Sequence, residues 1–199
     1  MAASAELPKV VADGQLTAAT LQLLEGKVQI LPWETLLAGP DPSIAGIYTF
    51  GHPPLDGTLM DNAPALKVIS NYGVGVDHIQ LADAVARSIP VGNTPGVLDA
   101  ATADMGFSLL MACGRRLVEG DRFARSEMFS QYDPGRILGR EISGAKLGIV
   151  GMGRIGAAVA RRATGFEMTV SYYNRKPRPD IESQLDVSYE PFEELLSTA

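Results

Sequence analysis

The six residues Gly151-Met152-Gly153-Arg154-Ile155-Gly156 constrain this chain more than any other feature in it. They fit G-x-G-x-x-G, a spacing that is weak alone and informative only between a strand and a helix. Here the apolar run Leu147-Gly148-Ile149-Val150 precedes them as a strand, and Ile155 to Ala163 follows as a helix. Met168 to Tyr173 then reads as a second strand. In that setting the first glycine permits a tight turn and the second lets the backbone approach a pyrophosphate. The third lets the helix pack on the strand. Free N–H groups and the positive end of the helix dipole then face the anion. Gly151, Gly153, Arg154, Ile155 and Gly156 are therefore the expected cradle of a dinucleotide, against the plainer reading of a glycine-rich turn with no ligand.

The end of the second strand selects the cofactor. An NAD-specific site places a carboxylate there, about twenty residues past the glycines, to accept the ribose hydroxyls. This chain has Asn174, then Arg175, Lys176 and, after Pro177, Arg178. A carboxylate would repel a 2′-phosphate, whereas an amide would not and a guanidinium can bind it in bidentate fashion. Asn174, Arg175 and Lys176 thus point to NADP(H) over NAD(H), the alternative being a solvated basic turn.

Upstream, short apolar runs alternate with helical stretches. Lys9–Ala12, Val28–Leu31, Ile44–Phe50, Leu66–Ser70 and Ile89–Val91 read as strands, with helices over Thr17–Leu24 and Thr58–Asn62. That alternation implies parallel βαβ units and an α/β domain of flavodoxin-like outline. The loop Gly92–Gly96 breaks the pattern and marks a boundary, giving domains at 1–96 and 97–199. Val97 to Leu117 reads as one long helix with Leu98, Ala101, Met105, Leu109 and Ala112 on its apolar face. Glu119 to Ser143 reads as an irregular exposed arm. Val187–Tyr189 is a weaker strand and Pro191–Leu196 opens a last helix.

Charge and composition remove several classes of function. A net charge of -6 argues against nucleic acid and anionic membrane surfaces, which need a basic face. No apolar run is long enough to span a bilayer, and the first ten residues lack a secretory pattern. A cytoplasmic protein with small-molecule partners is expected. The one cysteine, Cys113, excludes disulfide frameworks and multi-cysteine metal sites, so no metal is expected. It is read as a buried, inert thiol.

Three segments, taken in order, carry a family resemblance. Asn71-Tyr72-Gly73-Val74-Gly75-Val76-Asp77-His78-Ile79 resembles the substrate loop of D-2-hydroxyacid dehydrogenases. Asn93-Thr94-Pro95-Gly96-Val97-Leu98 with Ala101-Thr102-Ala103-Asp104 resembles their domain crossover, and Leu147–Gly156 their nucleotide turn. Ile47–Pro53 and Tyr173-Asn174-Arg175 are similar to the glyoxylate/hydroxypyruvate reductase branch, including 2-ketogluconate reductase-like members. The resemblance implies a flavodoxin-like substrate domain followed by the first half of a Rossmann dinucleotide-binding domain. It implies that the amides of Val74 and Gly75 hold the substrate carboxylate and that Thr102 lies beside the nicotinamide. It also implies an arm at about 117–143 that wraps a second subunit, hence a homodimer in the full-length form. Asp104 stands where many relatives carry glutamate, which puts a length-dependent role in helix packing in question.

The activity so implied is NADPH-dependent reduction of a small 2-oxo acid to the D-2-hydroxy acid, an EC 1.1.1 oxidoreductase reaction. The family's arginine, acidic residue and histidine lie downstream of its first nucleotide-binding half, near whose close residue 199 falls. No catalytic residue is therefore expected in this chain, which reads as C-terminally truncated and inactive alone. The other reading is a non-catalytic short isoform that binds cofactor or pairs with a full-length subunit. The two histidines do not fill the gap on sequence grounds. His52 is a candidate wall of the substrate pocket weighed against a loop role, and His78 reads as a capping or surface residue. Arg115, Arg116, Arg161 and Arg162 read as helix-ending residues in solvent.

Overall fold

A computed structural model describes residues 6–199, which form two compact units divided between Pro95 and Gly96. In the first, β1 (Lys9–Ala12), β2 (Gln29–Pro32), β3 (Ile44–Thr49), β4 (Val68–Asn71) and β5 (Val91–Gly92) form one parallel sheet in the order β2-β1-β3-β4-β5. This is the flavodoxin-like order, and it reverses direction between β1 and β3. The helices α1 (Ala18–Leu24), α2 (Glu34–Leu37), α3 (Gly57–Asp61) and α4 (Leu81–Ala86) connect the strands. Thr17 caps α1 and Asp56 caps α3, each side chain accepting from an N–H three residues on. Val11, Ile44, Ile47, Leu55, Met60 and Ile69 make the centre of the core. The near-continuous apolar burial along β3 is what a sheet covered on both faces requires.

The second unit begins with α5 (Asp99–Gly114) and α6 (Leu117–Ala124). Then β6 (Lys146–Val150), α7 (Arg154–Thr164), β7 (Thr169–Tyr173), α8 (Pro179–Leu185) and β8 (Val187–Tyr189) complete one βαβαβ half, followed by α9 (Phe192–Thr198). Its parallel sheet runs β6-β7-β8, the first half of a Rossmann fold. Alanines 157, 160 and 163 let α7 lie close on the sheet, over Ile149, Val170 and the fully buried Tyr172. Glu190 fastens the far end of the sheet by accepting from Lys146 Nζ at 2.9 Å and Ser171 Oγ at 2.7 Å. Its carboxyl is held below the usual range by those partners, Lys146 first.

Several expectations are corrected. Val97–Leu117 is not one helix, because Arg116 takes a left-handed conformation (φ 51°) that separates α5 from α6. The arm therefore contains a helix and is not wholly irregular. Its return strand of chain is anchored, since Arg140 N donates to Gly114 O at 2.7 Å and Ile142 is buried. The buried side of α5 is Ala103 and Phe107, while Leu98, Met105 and Leu109 are exposed. Because α5 is apolar on most of its circumference, periodicity alone does not choose between the two stripes. Cys113 is exposed, on a side of α5 that no described residue covers. Arg162 does not simply meet solvent, as its guanidinium binds Asp104 at 2.6 Å and the Ala158 and Ala100 carbonyls, joining α7 to α5. The shorter Asp104 is thus long enough to make that link.

Candidate functional site

Two sets of backbone groups converge on possible anions, one in each unit. In the first unit the set lies at the carboxyl ends of β1, β3 and β4, where the strand order reverses and ligands of open α/β sheets bind. The loop after β4 is shaped by its carbonyls. Tyr72 O accepts from Thr94 Oγ1 at 2.9 Å, and Gly73 O and Gly75 O each accept from Asn71 Nδ2 at 2.8 Å. Val74 O accepts from Asn93 Nδ2, also at 2.8 Å. With these four successive carbonyls engaged by side chains, the amides of the exposed Val74 and Gly75 point away from the Gly73 and Val74 oxygens and find no acceptor among the described residues. Consecutive outward N–H groups make an anion-binding nest.

The buried side of this loop is polar by design of the sequence. Asn71 and Thr49 are two of the three buried polar residues described. Asn71 Nδ2 is committed to the two glycine carbonyls, so its Oδ1 accepts from Thr49 Oγ1 at 2.8 Å. His78 Nε2 lies 3.3 Å from the same hydroxyl. Asp13, just past β1, accepts the Phe50 and Gly51 amides at 2.7 and 2.8 Å and so fixes the turn that carries His52. His52 holds φ 61°, a conformation that costs a non-glycine residue of order 1 kcal/mol or more. Its ring packs 4.6 Å from that of His78, centroid to centroid. Sequence reading foresaw no neighbour for either histidine and assigned no task to Asp13, Thr49, Asn71, Asn93 or Thr94. Asn71, Asn93 and Thr94 stand inside the recognised segments, which was the available signal.

Burial is the first cause that lowers the titration of His78, and the neighbouring His52 adds to it, while Asp13 and Asp77 oppose. A histidine depressed in the folded state stabilises the fold above its unfolded value near 6.5. The unfolded chain takes up the proton first as the pH falls, so this contribution is lost on acidification. Thermal midpoints are therefore expected to decline from neutral pH toward about pH 5, and His78→Asn should flatten that limb, checked by circular dichroism melts. An equally steep limb in the variant would refute the assignment.

In the second unit Gly151 sits at φ 101°, and its N–H donates to Tyr173 O at 2.8 Å. The turn is thereby pinned level with the end of β7. A Cβ on Gly156 would stand 2.1 Å from Gly151 O, so the third glycine is required by the turn's own backbone as well as by the strand. A Cβ on Gly153 would meet nothing within 4 Å. Gly153 caps α7 with no side-chain acceptor, leaving the first-turn N–H groups of Arg154 and Ile155 open to a ligand. Arg154 and Ile155 are exposed, and Met152 is fully buried as the anchor of the turn. These residues fit a pyrophosphate: an open approach at one glycine and unspent donors at a helix start.

Past β7, Asn174 Nδ2 donates to Lys176 O at 3.0 Å and closes the turn. Arg175 and Lys176 are exposed and take part in no ion pair among the described residues. Arg178 is spent differently from the sequence expectation, for it pairs with Asp180 at 2.7 Å and donates to Met152 O at 3.2 Å. It braces the glycine turn instead of adding to the basic pair. The Tyr172 hydroxyl accepts from Arg178 N and donates to Glu182, and burial raises its titration. Thr102 lies exposed on the first turns of α5. Among the described residues no cluster of side chains could hold a metal ion, and no helix is long and apolar enough to cross a membrane.

Comparison with known proteins agrees with this geometry. Residues 107–199 match the family described as D-isomer specific 2-hydroxyacid dehydrogenase, NAD binding domain. A glyoxylate reductase of Pyrococcus horikoshii is 36% identical over 200 residues, covering 95% of this chain and 60% of that protein. The crystal structure of TT0316 protein from Thermus thermophilus superposes with a TM-score of 0.84 at 38% identity, over 96% of this chain and 62% of that one. An NADPH-dependent glyoxylate/hydroxypyruvate reductase of Sinorhizobium meliloti superposes at 0.78 with 29% identity, over 92% and 58%. The chain thus spans about three-fifths of the length of these relatives. With the glycine turn, the parallel half-domain and this likeness in agreement, the chain belongs to the D-isomer specific 2-hydroxyacid dehydrogenases.

Proposed function

We propose that this chain carries the dinucleotide-binding and carboxylate-binding parts of an NADPH-preferring reductase of small 2-oxo acids, glyoxylate or hydroxypyruvate. The observation that carries the reading is the pair of outward amides at Val74 and Gly75, held by four satisfied carbonyls, in a chain that also has the open glycine turn. Residues 1–96 are the substrate domain and 97–199 the nucleotide-binding domain. Val74 and Gly75 take the substrate carboxylate, with His52 beside them. Gly151, Gly153, Arg154, Ile155 and Gly156 cradle the pyrophosphate, and Thr102 approaches the nicotinamide end. The bound dinucleotide supplies the hydride; the residues here bind and orient.

Asn174, Arg175 and Lys176 select NADP(H). A free guanidinium and ammonium at the ribose end favour a 2′-phosphate that a carboxylate there would repel. The wild-type chain is expected to bind NADPH more tightly than NADH by fluorescence titration. Arg175→Ala is expected to reduce that preference about tenfold, the worth of one charge-assisted bond of roughly 1.5 kcal/mol. Equal affinities in the wild type would remove the NADP assignment.

Among the described residues neither histidine hydrogen-bonds a carboxylate that could tune it as an acid/base, for His78 meets Thr49. The 199-residue chain is accordingly expected to show no NADPH consumption with glyoxylate, followed by absorbance. Measurable turnover would overturn that. The exposed apolar side chains of the arm region, Met128, Phe129, Tyr132 and Leu138 among them, favour a second subunit as partner in a homodimer. Light scattering of the purified protein tests that state.

A further inference from the structure

We propose that His52 and His78 form, with the amides of Val74 and Gly75, a proton-linked carboxylate receptor: His52 binds the anion as imidazolium while His78 stays neutral. The proposal rests on the reading of Val74 and Gly75 as the carboxylate site, and it adds the group that supplies the positive charge there.

Of the two terminal atoms of Asn71 only Nδ2 can donate to the Gly73 and Gly75 carbonyls, so Oδ1 faces Thr49 and must accept. Thr49 thereby spends its one proton, and its oxygen can only accept from His78 Nε2. His78 therefore carries hydrogen on Nε2, and a run of bonds passes from it through Thr49 and Asn71 to the carbonyls of Gly73 and Gly75. In this neutral tautomer no further proton is needed to complete the network.

His52 is placed differently. Its Nε2 lies 3.2 Å from where a Cβ on Gly73 would stand, so the ring rests on the loop that presents the two amides. It is exposed, it makes no hydrogen bond among the described residues, and its backbone is held in the left-handed region by the Asp13-capped turn. Side chains held so at a loop are a common mark of function. The rings are 4.6 Å apart, so two imidazolium ions would oppose each other and the pair takes up at most one proton readily. Burial disfavours charge on His78, so a proton drawn to the pair by an arriving anion settles on the exposed His52.

The other charged or titratable groups around the pair are few. Asp13 faces it from the end of β1 with both oxygens committed to the Phe50 and Gly51 amides. Asp77 faces it from the loop, its Oδ2 3.8 Å from a Cβ on Gly75. Tyr72, just past β4, packs its ring against Phe50 in a tilted pair 5.0 Å between centroids. Among the described residues no carboxylate hydrogen-bonds or ion-pairs with His52, which leaves its ring free to take an arriving anion as counter-ion. Anion binding and proton uptake then favour each other reciprocally.

Oxalate is a suitable probe, being a stable dicarboxylate of the right size, and the chain has two histidines and hence two imidazole Cε1–H signals to follow. At neutral pH, saturating oxalate is expected to move the His52 signal toward its imidazolium position and leave that of His78 in place, with His52→Gln identifying the signals. Calorimetric affinity is expected to tighten about tenfold between about pH 8.5 and about pH 5.5, and to be flat in His52→Gln. Wild-type binding with no movement of the His52 signal and no pH dependence would overturn the receptor while leaving the amide site intact. An absence of oxalate binding at every pH would overturn the amide site itself, and the receptor with it.

Discussion

Alanine at Gly156 is expected to abolish dinucleotide binding and to destabilise the second unit, whereas alanine at Gly153 should abolish much of the binding with the fold intact. The two glycines look alike in sequence and differ in what surrounds them. A methyl at Gly156 would stand 2.1 Å from the Gly151 carbonyl oxygen and 3.4 Å from an Ile149 methyl. Backbone must shift to admit it, and the backbone in question is the turn pinned to Tyr173 O. Overpacking of this kind costs about 3 kcal/mol and occasionally more. Gly153 has an extended conformation open to any residue and empty space where its Cβ would point. Its alanine variant should melt at or slightly above the wild-type temperature, since removing a glycine restricts the unfolded chain by about 0.4–1 kcal/mol. The same methyl would occupy the approach of the pyrophosphate, so NADPH affinity should fall at least about tenfold, and below detection for Gly156→Ala. Parallel melts and fluorescence titrations read both. An undiminished affinity in Gly153→Ala would place the dinucleotide elsewhere.

The difference between those glycines also shows where sequence stops being informative. The strands were legible because each is a short apolar run between turn-forming residues, and Val11, Ile47, Ile69, Ile149 and Val170 take up their core positions accordingly. The glycine turn was legible because its spacing is tied to backbone geometry. The buried stripe of α5 was not, since Ala103 and Phe107 compete with an equally apolar Leu98, Met105 and Leu109 stripe and only the position of α7 decides. The break at Arg116 was invisible because a left-handed arginine has no compositional mark. The histidine pair joins residues from two different loops, each of which looks unpartnered when read along the chain. The tasks of Asn71, Asn93 and Thr94 were likewise hidden, for they consist in satisfying carbonyls that no linear pattern identifies.

Asn71→Asp is the sharpest test of that last point, because it keeps the volume and the bond from Thr49 while removing two donors. In the wild type Nδ2 serves the carbonyls of Gly73 and Gly75 from a side chain that is 2% exposed. A carboxylate there would set a buried negative charge against two carbonyl oxygens, with Thr49 alone donating to it. Gly75 O would lose its donor and Gly73 O would keep only the Thr94 N–H at 3.3 Å. An orphaned acceptor costs about 1–3 kcal/mol and a buried charge adds to it, so a loss of about 3–5 kcal/mol is expected in chemical denaturation of the first unit. The loop would also be free to turn its carbonyls outward, which dissolves the nest of Val74 and Gly75 amides. Oxalate affinity should accordingly fall by about a hundredfold or more, well beyond the effect of any change at His52. Asn71→Ser, smaller and uncharged, guards against simple unfolding: it should fold with a cavity and still lose most of the binding, because its short hydroxyl cannot reach two carbonyls at once. A folded Asn71→Ser protein that binds oxalate as the wild type does would mean that the loop holds its shape without this side chain.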